Sequence, residues 1–162
     1  MSSTVAVRCA TASPKETQAL AATIASHLTP GDLVLLSGDL GAGKTTFVQA
    51  VAAALGVNEP ATSPTFALAH HYLGKYELRH IDLYRLTDPC EMLDYILEEL
   101  ESAIVLVEWG ELLATEFPEA RLDVKLSFAE NGRSSDANYR SIELVGTGSR
   151  WKSVLAAMET QK

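Results

Sequence analysis

The sequence has little positive charge, few cysteines and no long apolar run. Thirteen Lys and Arg residues stand against 21 Asp and Glu residues, which gives a formal net charge of −8, and no Lys/Arg cluster is present. The basic stripe that drives binding to a nucleic-acid backbone is therefore missing. Any role with nucleic acid is expected to be indirect, through a partner protein.

The two cysteines and the short apolar runs argue against zinc sites, redox sites and membrane-spanning segments. Cys9 and Cys90 lie far apart and form no C-x-x-C pair, so they predict reduced packing residues and no zinc or redox site. Aliphatic runs such as residues 104–107 are too short to cross a bilayer, and the N-terminus lacks a basic-then-apolar signal pattern. We expect no membrane association and a cytoplasmic location.

The composition is that of a soluble globular protein. The chain has 162 residues, of which 47% are hydrophobic and 21% charged. This length predicts a single domain over residues 1–162, with a polar tail at about 159–162 and no room for a separate substrate domain.

The most informative segment is GDLGAGKT at residues 38–45, called here the glycine-rich loop, which matches G-x-x-x-x-G-K-[ST]. The apolar run Leu33–Ser37 before it predicts a buried strand, and residues 46–55 after it predict a helix that ends at Gly56. In this order, backbone N–H groups and the helix N-terminus converge on nucleotide phosphates. The predicted nucleotide contacts are Asp39, Leu40, Gly41, Ala42, Gly43, Lys44, Thr45 and Thr46.

The end of the glycine-rich loop carries the residues expected to act on the phosphates. Lys44 should reach the β- and γ-phosphates as a catalytic cation, and the Thr45 hydroxyl can bind Mg²⁺. The predicted ligands are therefore ATP and Mg²⁺. The alternative is a glycine-rich turn with a solvated lysine, but the strand and helix on either side favour the nucleotide site.

The rest of the chain predicts a mixed sheet covered by helices. Leu122, Val124, Leu126 and Phe128 fall on one face of a strand, with Ile142 and Leu144 on the next. The predicted class is an α/β, P-loop NTPase-like three-layer fold with a mixed central sheet and antiparallel C-terminal strands. The other expected elements are an edge strand at 4–10, helices at 14–28, 88–100 and 151–158, a hairpin of 66–73 with 76–83, and a strand at 104–107.

Two acids are candidate partners of the loop. Glu108 directly follows the apolar run 104–107 and could hold Mg²⁺ or its waters, although a solvated strand end is the alternative. Asp82 shares a strand face with His80 and could orient the attacking water or a metal-bound water. An ion pair of Asp82 with Arg79 or Arg85 is the alternative.

Three more residues are candidates. Thr65, in the segment 63–66 after the loop helix, could contact the γ-phosphate or metal, or the segment could be a turn into a strand. Trp109 follows Glu108 and on its own would be read as a core aromatic. Arg133, in a Gly132-Arg133 turn, is a candidate nucleotide contact.

Four motifs together resemble the TsaE family, also called YjeE: GDLGAGKTT at 38–46, SPTF at 63–66, HIDLYRL at 80–86 and EWGE at 108–111. These are bacterial ATPases required for threonylcarbamoyladenosine modification of tRNA. The resemblance implies a Walker A loop at 38–46, a switch-like segment at 63–66, a functional Asp82, a Walker B acid at Glu108 and an important Trp109. It also implies that the protein works with the two-protein threonylcarbamoyl-transfer complex (TsaB–TsaD type), using ATP hydrolysis to reset it between turnovers.

Three other functions compete with this interpretation. A small-molecule kinase would need an arginine-bearing lid, whereas the seven arginines are scattered. A GTPase would need N-K-x-D and D-x-x-G motifs, which are absent, so adenine is favoured. A nucleotide-gated binding module with negligible turnover would share the same motifs, and a measurement of phosphate release would distinguish it.

Overall fold

A computed structural model describes residues 3–58, 69–128 and 137–160 of the chain. The predicted segment 63–66 with Thr65 and the predicted turn with Arg133 lie outside these described residues.

The described residues form one mixed seven-stranded sheet in the order β1-β7-β6-β2-β5-β4-β3. The strands are β1 Thr4–Thr11, β2 Leu33–Ser37, β3 Ala69–Leu73, β4 Glu77–Asp82, β5 Ile104–Glu108, β6 Arg121–Phe128 and β7 Arg140–Thr147. Strand β2 runs parallel to β5 and β6, and β4 runs parallel to β5, whereas β1, β3 and β7 are antiparallel to their neighbours. The predicted mixed sheet, edge strand and antiparallel C-terminal strands are confirmed.

Helices cover both faces of the sheet. They are α1 Pro14–Ala25, α2 Lys44–Ala54, α3 Leu93–Glu99 and α4 Ser149–Glu159, with 3₁₀ turns at Pro89–Met92 and Gly110–Leu113. Alternate residues of the central strands belong to two separate cores: Leu36 and Leu106 pack with α1 and α2, and Leu35 and Val107 lie in one core with residues near α3. Because β2 and β5 are buried on both faces, their sequences are continuous apolar runs. No helix within the described ranges is long and apolar enough to cross a membrane.

Helix α1 begins where the sequence predicts and ends earlier. The Ser13 side chain accepts a hydrogen bond from the Glu16 N–H (3.2 Å), and the Glu16 carboxylate accepts one from the Ala12 N–H (2.7 Å). The helix stops at Ala25 rather than at Leu28, and the next residues make tighter turns. The chain has to leave the helical conformation before Pro30, since proline disfavours helical geometry in the residue that precedes it.

The predicted helix at 88–100 has a different first turn. The Asp88 carboxylate accepts a hydrogen bond from the N–H of Cys90 (3.0 Å), two positions further on, and a 3₁₀ turn follows. The α-helix itself begins at Leu93 and ends at Glu99. Capping at this short spacing tightens the first turn, so the predicted helix begins where expected but as a 3₁₀ turn.

Phe128 and Cys90 lie at the surface, and the prediction that Cys90 is a packing residue is corrected. Phe128, at the end of β6, is 43% exposed and lies under the guanidinium of Arg140 (4.5 Å) instead of entering the core. Cys90 is exposed, whereas Cys9 is half-buried and its thiol points to the Ile142 carbonyl (3.7 Å). Cys90 is therefore not a packing residue.

Candidate functional site

The glycine-rich loop connects β2 to α2 and has a backbone that glycine alone adopts easily. Gly38, Gly41 and Gly43 have φ values of +139°, +81° and +111°. A Cβ atom on Gly38 would lie 2.3 Å from the Leu126 carbonyl oxygen, so β6 forms a close wall behind the loop. Gly43 precedes α2 without a side-chain cap, and the first N–H groups of this helix can therefore bind an anion.

Lys44 is buried at the start of α2. Its ammonium donates hydrogen bonds to the carbonyls of Gly38 (2.6 Å) and Asp39 (3.0 Å), and it lies 4.2 Å from the centre of the Trp109 ring. Burial lowers the pKa of Lys44, while nearby carboxylates, first that of Glu108, act to raise it. The ammonium is thus held in place beside the loop by carbonyl groups of the loop itself.

Glu108 ends β5 and is only 3% exposed. The Thr45 hydroxyl donates to its Oε1 atom (2.8 Å), and its Oε2 atom lies 2.5 Å from His80 Nε2. Because the carboxylate is buried and hydrogen-bonded on both oxygens, the alternative of a solvated strand end is wrong. Glu108 faces the glycine-rich loop because β5 is parallel to β2 and adjacent to it.

Asp82 ends β4 and lies beside Glu108 in the strand register. Its Oδ1 atom accepts a hydrogen bond from the Tyr84 N–H (3.0 Å). Burial raises the pKa of Asp82, and the charge of Glu108 raises it further, against the effect of the Tyr84 N–H. The alternative ion pair with Arg79 is wrong.

Arg79 instead binds the carboxylates of Glu77 (3.1 Å) and Glu99. Arg85, the other proposed partner of Asp82, is exposed and acts on that carboxylate through its charge. The strand alternation that placed His80 and Asp82 on one face is confirmed, since both lie next to Glu108.

These side chains surround one cavity of about 520 Å³. Its lining residues are Leu40, Gly41, Gly43, Lys44, Thr45, Thr46, Asp82, Tyr84, Arg85, Glu108 and Trp109. The cavity brings together most of the described residues that the sequence singled out. Asp39 contributes its carbonyl to Lys44, and Ala42 is fully buried in the loop.

Trp109 is at once a packing residue and a wall of the cavity. It is the one non-glycine residue in the described chain with positive φ (60°). Its ring stacks on Tyr84, with centroids 4.8 Å apart, and it packs partly against the core shared with α3. Left-handed backbone is uncommon for a tryptophan, and such strain concentrates at functional sites.

Arg140, at the start of β7, was not predicted and reaches the loop from the far side. Its Nε atom donates to the Ala42 carbonyl (2.8 Å) and Nη2 approaches the Gly41 carbonyl (3.5 Å). A smaller cavity of about 130 Å³ lies here, lined by Pro14, Thr17, Gly41, Ala42, Gly43, Thr46, Asn138 and Arg140. No sequence signal links Arg140 to a loop 98 positions away.

Known proteins resemble this chain in sequence and in fold. A family model described as threonylcarbamoyl adenosine biosynthesis protein TsaE matches residues 11–136. The tRNA threonylcarbamoyladenosine biosynthesis protein TsaE of Bacillus subtilis is 37% identical over 145 residues, which cover 88% of this chain and 87% of that protein. The protein of the same name in Streptomyces coelicolor is 40% identical over 134 residues, which cover 79% and 88% respectively. A crystal structure of Bacillus subtilis YdiB superposes with a TM-score of 0.77 at 31% identity, covering 99% of this chain and 97% of that one.

The sheet, its helical layers and the loop between β2 and α2 define an α/β protein with a P-loop NTPase-like three-layer fold. Within that class, the chain belongs to the TsaE family, a family of tRNA threonylcarbamoyladenosine biosynthesis proteins. The resemblance drawn from four sequence motifs is confirmed.

Proposed function

We propose that this chain is a Mg²⁺-dependent ATPase that hydrolyses ATP to ADP and phosphate. In this proposal, hydrolysis resets a two-protein threonylcarbamoyl-transfer complex (TsaB–TsaD type) between rounds of tRNA modification. The observation that supports it most is the meeting of Lys44, Thr45, Asp82 and Glu108 around one cavity at the N-terminus of α2.

The glycine-rich loop would bind the phosphates of ATP. The N–H groups at the start of α2 supply donors for phosphate oxygens, and Lys44 adds a positive charge already held beside them. We assign the base and ribose to the smaller cavity beside Arg140, because it shares Gly41, Gly43 and Thr46 with the larger one. One bound molecule could then occupy both sides of the loop.

The oxygen donors at the site fit Mg²⁺. Thr45 and Glu108 present a hydroxyl and a carboxylate 2.8 Å apart, and Asp82 lies beside them. Mg²⁺ usually takes one or two protein ligands and completes its shell with phosphate oxygens and water. When bound, Mg²⁺ would neutralise charge on the phosphates.

Asp82 is the residue that we assign to the attacking water. Its carboxylate lines the cavity, and its raised pKa makes it a better proton acceptor than an exposed aspartate. The Tyr84 N–H holds one of its oxygens in place. Glu108 and Thr45 are the metal-binding pair, so the two neighbouring acids have different roles.

Binding of ATP to the Lys44→Ala variant tests this site. Loss of a charge-assisted contact costs about 1.5–3 kcal/mol, so calorimetry in Mg²⁺ should show affinity reduced roughly tenfold or more. Lys75→Ala is the matched control, because Lys75 is exposed in the β3–β4 turn and its ammonium contacts Tyr76. Equal affinities in wild type and Lys44→Ala would remove the nucleotide-site assignment.

A further inference from the structure

His80 has no role in the reaction described above, yet it is the most enclosed polar residue at the site. It lies in β4 with 0% exposure, and its Nε2 atom is 2.5 Å from Oε2 of Glu108. Its other ring nitrogen, Nδ1, is the one buried side-chain nitrogen or oxygen without a hydrogen-bond partner in the described structure. Buried polar atoms without partners are rare and call for an explanation.

The environment of the two nitrogens determines the form of the ring. If Nε2 carries the proton, it donates to the Glu108 carboxylate and Nδ1 is left as a bare acceptor. The opposite tautomer would set a bare Nε2 against the carboxylate oxygen, which places two acceptors in contact. The geometry therefore favours an Nε2–H of His80 that donates to Glu108.

Glu108 divides its two oxygens between two donors. Oε1 accepts from the Thr45 hydroxyl, and Oε2 accepts from His80. Without His80, a buried carboxylate would lack one donor and could rotate, and the Thr45 hydroxyl would lose the fixed acceptor that orients it. Partners of this kind, one shell behind the ligands, usually set how well a metal site binds.

We propose that His80 is a positioning residue for the Thr45–Glu108 pair: it holds one oxygen of Glu108 so that the other orients the Thr45 hydroxyl for Mg²⁺. This rests on the proposed function, since the pair is assigned to Mg²⁺ there. The new element is that the increase in nucleotide affinity caused by Mg²⁺ depends on a hydrogen-bond donor at residue 80.

The first test is the tautomer in wild-type protein without nucleotide or metal. Nitrogen-detected NMR of the imidazole should show the proton of His80 on Nε2, in slow exchange with water because the ring is buried. A proton on Nδ1, or fast exchange, would overturn the proposal whatever the protein binds.

The second test compares affinities for a non-hydrolysable ATP analogue in Mg²⁺ and in EDTA. The ratio of the two affinities should fall about 10–100-fold in His80→Leu, which removes the donor. His80→Gln keeps an N–H donor near the position of Nε2, so its ratio of affinities should stay close to the wild-type ratio. Ile81→Val, next along β4 and in the opposite core, is the control for general loosening of the strand and should keep the wild-type ratio.

The outcomes separate this inference from the proposed function. A wild-type protein that binds no analogue in either buffer would overturn the proposed function, and this inference with it. Wild-type binding with an unchanged ratio in His80→Leu, or an equal loss in His80→Gln, would overturn this inference alone. If His80→Leu does not fold, the tautomer measurement and His80→Gln provide the test. A lower ratio of the affinities in Mg²⁺ and EDTA for His80→Gln, together with a wild-type ratio for Ile81→Val, would contradict the proposal.

Discussion

Two carboxylates and one ammonium are buried together where the parallel strands end. Asp82 and Glu108 are 8% and 3% exposed, and Lys44 is 5% exposed. Burial alone disfavours every one of these charges, and the hydrogen bonds from Thr45, His80 and the Tyr84 N–H offset part of that cost. Buried charged groups that converge in one cavity are typical of functional sites.

At the scale of single residues, we expect the two acids to serve hydrolysis more than binding. Asp82→Ala should lower kcat by about 10²–10⁴-fold, the range for loss of a general base, and Glu108→Ala should also lower kcat more than affinity. The glycine-rich loop should still supply most ground-state contacts in both variants. Asp123→Ala, in an ion pair with Arg121 on β6, is the control for loss of a carboxylate. Phosphate release at the wild-type rate with partner proteins present would refute the assigned role of that acid.

Asp82 should also make stability depend on pH. Its folded-state pKa is raised, so the folded protein binds this proton more tightly than the unfolded chain does, and stability falls as pH rises from about the unfolded value of 3.8 through the folded pKa. Asp82→Asn removes the free-energy cost of a buried charged carboxylate and keeps an oxygen that can accept the hydrogen bond from the Tyr84 N–H.

Thermal unfolding without ligand should therefore show Asp82→Asn with the higher Tm at pH 7. Each kcal/mol of relieved cost would raise the Tm by about 2–4 °C for a chain of this size. The difference should shrink as the pH is lowered towards 4. A difference that stays constant over this pH range would show that Asp82 does not carry the desolvation cost.

At the scale of elements, the hairpin of β6 and β7 supports the glycine-rich loop from behind. Gly38 lies against the Leu126 carbonyl, and Arg140 binds the carbonyls of Ala42 and Gly41. Its guanidinium also lies over the ring of Phe128, which is exposed at the end of β6. Two strands distant in sequence therefore support the loop that carries the nucleotide motif.

Removal of this support should loosen the loop. Arg140→Met keeps the length of the side chain and deletes the hydrogen bonds, each typically worth about 0.5–1.5 kcal/mol. Hydrogen exchange over residues 38–46 should become faster, and ATP affinity should fall. Arg8→Met is the control, because Arg8 is an exposed residue of β1 whose ion pair with Glu143 lies away from the loop. Exchange over 38–46 that matches wild type would mean that Arg140 does not hold the loop.

At the scale of the whole molecule, negative charge and an open site shape the expected activity. A protein with a net charge of −8 and no basic stripe does not gain the free energy of counterion release, which supplies most non-specific RNA binding. Arg85 lines the main cavity but is solvent-exposed, and an exposed cation stabilises a transition state less than a desolvated one. Both features agree with the proposed function, in which partners supply rate and contact with tRNA.

The isolated chain should accordingly be a slow ATPase with weak tRNA affinity at physiological salt. Addition of the threonylcarbamoyl-transfer proteins should raise phosphate release by at least about tenfold, since a transition-state cation supplied or ordered by a partner accounts elsewhere for about 10³–10⁵ in rate. Phosphate release and tRNA binding, each measured with and without the partners, check this. Fast turnover that the partners do not change, or tight salt-sensitive tRNA binding without them, would indicate an autonomous enzyme.

The sequence by itself determined the features that depend on neighbouring residues. The spacing of glycines in residues 38–45 sets the loop conformation, the apolar run 104–107 requires burial on both faces, and alternation in β4 places His80 beside Asp82. Family motifs then suggested roles for these residues. The roles of Thr65 and Arg133, outside the described residues, stay predictions.

Tertiary structure alone decided the contacts between distant parts of the chain. The pairing of β4 with β5 brings His80 to Glu108 across 28 positions, and the antiparallel return of β7 brings Arg140 to the loop across 98. Neither contact leaves a periodic or local pattern, because a side chain that crosses between strands depends on strand order and register. These same factors decided that Glu108 is buried and Phe128 exposed, although each of them ends a strand with an apolar pattern.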